Sequence, residues 1–147
     1  MTTELAVPST DTWTPSRRLA RSVGAVVAAL VANAALSLGV DQLLHVLGVY
    51  PPWGQPMADS LFALATAYRV AFGVLSGYIA ARLAPDRPMT HALALGVVGV
   101  VLSLAALVAT WNAGPAFDTK WYPIALAVVA IPCAWAGGKL HEWSRTR

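Results

Sequence analysis

Four long apolar runs, separated by short polar breaks, dominate the chain from Ser22 to Leu140. They cover about 22–47, 60–83, 87–111 and 119–140, and each is long enough as a helix to cross a hydrocarbon core of about 30 Å at about 1.5 Å per residue. The breaks carry helix punctuation. Gly48 suits the end of the first run, and Asp59 or Ser60 suits the start of the second. Pro85 follows the second run, Asp86 and Pro88 suit the start of the third, and Asp118 or Thr119 suits the start of the fourth. Within the runs, small and polar residues recur at helical spacing. Thr66, Arg69, Gly73, Ser76 and Gly77 mark one face of the second helix. Gly96, Gly99, Ser103, Ala106 and Thr110 mark one face of the third, and Ala127, Ala130, Ala134 and Gly138 one face of the fourth. Small faces that let backbones approach, opposite bulky apolar faces, predict an all-α integral membrane four-helix bundle, up-down-up-down. Pro132 is expected to kink the fourth helix, and Gly137-Gly138 to loosen its end.

Residues 1–16 are polar and hold Pro8 and Pro15, the pattern of a flexible tail ahead of a 17–147 transmembrane domain. The stretch Ala32-Asn33-Ala34 has the small-x-small form of a signal-peptide cleavage site, but the apolar run continues well past it and an uncleaved helix is expected.

Composition sharpens this picture. The 147 residues are 57% hydrophobic and 12% charged, too apolar for an ordinary soluble domain. The net charge of +3 does not predict nucleic-acid binding, because the basic residues sit at the ends of the apolar runs and form no stripe. One set of ends holds Arg17, Arg18, Arg21, Arg82, Arg87, Lys139, Arg145 and Arg147; the other holds only Lys120. The positive-inside rule therefore puts both termini in the cytoplasm. Trp53, Trp111 and Trp121 fall at the outer interface, Trp13 and Trp143 near the inner one. The single cysteine, Cys133, cannot form an intrachain disulfide and lies in an apolar run, as packing cysteines do.

One residue breaks the apolar pattern. Arg69 lies roughly 13 Å into the second helix, where an unpaired charge costs at least ~2.5–3.5 kcal/mol. The first helix offers a partner: Asn33, Ser37, Asp41 and His45 are spaced four apart and share a face. A short connection makes these helices antiparallel neighbours and brings Asp41 within reach of Arg69. The expected site is an Asp41–Arg69 pair flanked by His45, Tyr68 and Asn33, opening outward. The loop GVYPPWGQPMAD, with Tyr50, Trp53 and Asp59, is either an interfacial turn or a lid over that mouth. The pair itself is either a clamp on helix register or a ligand or proton site. Asp41 and His45 are one turn apart, with Asp59 as a conceivable third ligand, but that spacing alone does not specify a metal, and no metal or cofactor is expected. His91 and His141 fall at the cytoplasmic ends, too far to join His45. No nucleophilic triad, Walker loop or dinucleotide fingerprint is present.

The runs VDQLLHVLGVYPPWGQPMADSLFALATAYR, RLAPDRPMTHALALG and WYPIALAVVAIPCAWAGGKL resemble small bacterial four-span integral membrane proteins of unknown function, over about residues 38 to 140. The resemblance implies a bacterial inner-membrane location and no activity. In size and span count the chain is also similar to small multidrug transporters, which carry a glutamate near the middle of the first helix. Here the acid is Asp41, nearer the outer end, and Arg69 opposes it; a resident cation would compete with a cationic substrate.

The leading expectation is a non-enzymatic membrane protein, either an accessory subunit or a small-ligand or lipid binder, with a polar pocket near the outer leaflet. The expected partners are membrane lipids and a protein partner or second copy, not nucleic acid. The alternatives are a dimeric proton-linked or anion transporter and, below it, a membrane-embedded enzyme using the same residues.

Overall fold

A computed structural model describes residues 15–114, 117 and 119–147. Among them the chain is all-α, with α1 Pro15–Val46, α2 Asp59–Leu83, α3 Pro88–Ala109 and α4 Trp121–Arg145 and no strand. All four are long and apolar enough to cross a membrane.

Two helices outrun their apolar segments. α1 begins at Pro15, so Ser16, Arg17, Arg18 and Arg21 are helical; arginine loses little side-chain freedom in a helix and does not end one. The expected tail thus lies outside the described residues up to residue 14, as do Trp13 and the proposed Asp118 cap. α4 continues to Arg145, through Pro132 and through Gly137-Gly138, which do not loosen it. The helix starts also differ from the expected caps. α2 starts from Ala58, with Asp59 in its first turn, and neither Ala58 nor Arg87 makes a side-chain cap bond. Arg87 precedes α3 in the left-handed region at φ 42°, next to Pro88. Gly48 does end α1: at φ +71° it adopts a conformation that a side chain would strain, and its N–H donates to the His45 carbonyl.

The interior is built of small side chains. Ala25, Ala29, Ala65, Ala80, Ala81, Ala92 and Ala134 are buried, and the largest fully buried side chain among the described residues is that of Ser76. The exterior carries the bulk, including Val101, Val108, Val128, Leu38 and Trp135. Such an inverted distribution suits a lipid surround, where burying a leucine gains little and close backbone contact gains more.

α4 is the hub, packed against both α2 and α3. A Cβ on Gly77 would come 2.7 Å from the Ala134 carbonyl oxygen, and one on Gly137 would strike the backbone at Val74 and Tyr78. Gly96 meets Ala134 and Ile131 at 3.0 and 3.1 Å measured from such a Cβ, and Gly138 meets Met89 and Ala92. α1 packs on α2 and, through Ala29 and Leu95, on α3; it does not pack against α4. This asymmetry leaves open space among the helices.

Candidate functional site

α1 and α2 bring Asp41 and Arg69 together. The Arg69 Nη2 donates to Asp41 Oδ2 at 2.5 Å, and the two side chains are 22% and 11% exposed. The sequence dictates this locally. Asp41 belongs to a row of polar residues on α1, and the turn at Gly48 sends the chain back toward α2. Two tyrosines complete the network. The Tyr68 hydroxyl donates to Asp41 Oδ1, Arg69 Nη1 donates to the Tyr68 hydroxyl at 3.2 Å, and the hydroxyls of Tyr50 and Tyr68 are 3.3 Å apart. Tyr50 is buried and also donates to the Leu61 carbonyl at 3.4 Å. Both carboxylate oxygens of Asp41 are therefore engaged, and the guanidinium charge is matched where water is scarce.

Arg69 also lies against aromatic faces, with its guanidinium carbon 5.3 Å from the Tyr68 ring centre and 5.6 Å from that of Tyr122. Ring quadrupoles hold a guanidinium without adding a charge. Tyr122, at the start of α4, was not among the expected site residues. Its signal in the sequence is faint, since Trp121-Tyr122 reads equally well as an interfacial aromatic belt.

The loop 47–58 lies beside the pair. Tyr50, Pro51, Pro52, Trp53 and Met57 from the loop, with Asp41, His45, Arg69 and Tyr122, line a cavity of about 210 Å³. His45 packs between two loop aromatics, its ring 3.9 Å from that of Trp53 and 5.4 Å edge-on to Tyr50. Its Nδ1 is buried with no hydrogen-bond partner. Asp59 is the exception among the expected lid residues. It accepts a hydrogen bond from Trp121 Nε1 at 3.0 Å, joining α2 to α4, and does not line the cavity. That bond also draws it away from a set with Asp41 and His45, and no group of three metal-ligating side chains occurs among the described residues.

Asn33 is the second departure. It stands two turns from Asp41 along α1 and lines a different, deeper cavity of about 380 Å³ at the centre of the bundle. Arg69 is part of the wall of both cavities. The polar row on α1 therefore divides: Asp41 and His45 face the loop cavity, Asn33 and Ser37 the central one.

Three basic residues outside the site make local contacts. Lys120 Nζ donates to the carbonyls of Phe117 and Thr110 at 2.9 and 3.2 Å, so this lone basic residue of its loop closes the end of α3. His91 Nδ1 is 3.2 Å from the Arg87 carbonyl, and His141 packs edge-on to Tyr78.

The chain matches no protein-family model, no curated protein and no solved structure.

Proposed function

We propose that this chain is a multi-pass protein of the bacterial cytoplasmic membrane that binds a small ligand or lipid in the polar pocket beside the 47–58 loop, without catalysing a reaction. It crosses the membrane up-down-up-down with both termini cytoplasmic, which puts that pocket near the outer leaflet. The lopsided distribution of arginine and lysine supports the orientation. The alternation is supported by contacts in register: Asp41 with Arg69, Gly99 with Ala130, and Gly138 with Met89.

One observation carries the binding reading. A compensated but incompletely buried guanidinium sits in the wall of a cavity shared with aromatic and proline residues. A clamp on helix register needs the ion pair; it does not need the adjoining cavity. The pocket offers aromatic faces, the remaining guanidinium N–H donors and a buried imidazole nitrogen, a set that suits a small neutral polar group. The same wall favours a second reading. Because Arg69 borders two cavities, a proton-linked or anion transporter working as a dimer would have a substrate path past it.

The test is native mass spectrometry, with metal analysis, of the protein extracted in mild detergent. A small molecule or lipid that accompanies the wild type and is lost from Asp41→Asn and Arg69→Lys supports the binder. A stoichiometric protein partner retained by both variants makes the chain an accessory subunit instead. Flux in liposomes that Asp41→Asn abolishes, with the fold intact, selects the transporter.

A further inference from the structure

The central cavity has a chemistry of its own. Leu30, Leu95 and Cys133 give it apolar walls, while Asn33, Ser37, Ser76 and Ser103 give it polar side chains beside the bordering Arg69. Ser37 and Ser76 are 6% and 1% exposed, and neither hydroxyl has a hydrogen-bond partner; Asn33 Oδ1 has none either. A hydroxyl in a helix ordinarily donates back to the carbonyl four residues earlier. Thr66 and Thr110 do so, to Phe62 and Ala106 at 2.9 and 2.7 Å. Ser37 and Ser76 do not, although the same kind of carbonyl is at hand. Three side chains of one cavity wall that carry polar atoms without partners are costly in a bilayer, where water does not compensate them.

We infer that the central cavity is a binding site for a neutral, single-chain lipid bearing a hydroxyl group, which enters from the bilayer between α1 and α4. The hydroxyl donates to Asn33 Oδ1, an acceptor, and accepts from the hydroxyls of Ser37 on α1 and Ser76 on α2, while the chain fills the apolar walls. Neutrality follows from the border at Arg69: its charge is matched by Asp41, so an anionic head would have to displace a carboxylate already in place. The route follows from packing. α1 and α4 both line the cavity yet do not pack against each other, so the space between them leads to lipid. The inference rests on the membrane-spanning reading; it does not require that the loop pocket bind anything.

Cys133 supplies the reporter, being the single cysteine of the chain and part of the cavity wall. The full-length protein in nanodiscs is treated with N-ethylmaleimide in the presence of 1-hexadecanol, hexadecane or hexadecanoate. Native mass spectrometry of the same samples counts bound probe per chain, independently of thiol reactivity. Hexadecanol is expected to protect Cys133, and to be retained, at roughly tenfold lower concentration than hexadecane, the gain from one to two net hydrogen bonds. In the Asn33→Leu/Ser37→Ala/Ser76→Ala triple variant, checked for folding by thermal unfolding, the two probes become equivalent. Equal effects of alcohol and alkane on the wild type, retention of neither, or preference for hexadecanoate would overturn the inference. The ligand of the loop pocket is read separately, through Asp41→Asn, so failure at one site is distinguishable from failure at the other.

Discussion

Arg69 is held by a carboxylate, a phenol and two ring faces, and Asp41 by a guanidinium and a phenol. Each charge exists in the bundle because of the other. Removing one partner strands the second, which in a buried setting costs about 3–5 kcal/mol, whereas removing both leaves only the loss of their contacts. Arg69→Leu and Asp41→Leu are therefore each expected to be strongly destabilising, and the double variant less so than their sum. The check is a double-mutant cycle on unfolding in mixed micelles. Strict additivity would mean that the two side chains do not interact. The meeting of Asp41 and Arg69 was legible in the sequence, because a lone arginine in an apolar run demands a partner and α1 offers one acid. The part played by Tyr122 was not, because its approach to Arg69 depends on where α4 lies.

At the scale of the helix, the glycines fall into two groups that sequence spacing does not separate. Gly77 and Gly137 face backbone on the opposing helix, whereas a Cβ on Gly24 or Gly39 would meet nothing within 4 Å. Gly137→Ala has to part α4 from α2, since carbonyl and amide atoms cannot move aside as a side chain can. Gly39→Ala fills open space and gains helix propensity, about 0.5–1 kcal/mol. The expected outcome is a clear drop in unfolding temperature for Gly137→Ala and Gly77→Ala, and an unchanged or raised one for Gly39→Ala. Loss of stability in Gly39→Ala would place a neighbour against that face of α1, as a second copy or a partner subunit would.

For the whole molecule, the contact pattern is lopsided: α4 wedged between α2 and α3, α1 leaning on the far side. The cavities follow from that arrangement. The proposed orientation in the bilayer rests on the charge distribution, and it is tested by fusions. Alkaline phosphatase fused in the 47–58 loop is expected to be active, and fused after Arg147 inactive, with a green fluorescent protein fusion at the C-terminus showing the opposite. Activity at the C-terminus would invert the topology and move the loop pocket to the inner leaflet.

The sequence by itself determined the number and type of the elements, because four runs of apolar residues at membrane-spanning length have no other way to satisfy their backbone groups. It determined the Asp41–Arg69 pairing for a similar reason, since a charge in hydrocarbon must be matched. It also marked Gly48 as the end of α1. Helix ends were less legible: arginines continued α1 toward the N-terminus, and glycines at 137 and 138 proved to be packing surfaces within α4. Only the tertiary structure decided how the polar row on α1 is shared between two cavities, which serines keep their hydroxyls free of the backbone, and that Asp59 serves Trp121. Those outcomes depend on the relative placement of helices. Periodicity along one chain fixes which residues share a face, but not which neighbour, or which empty space, that face meets.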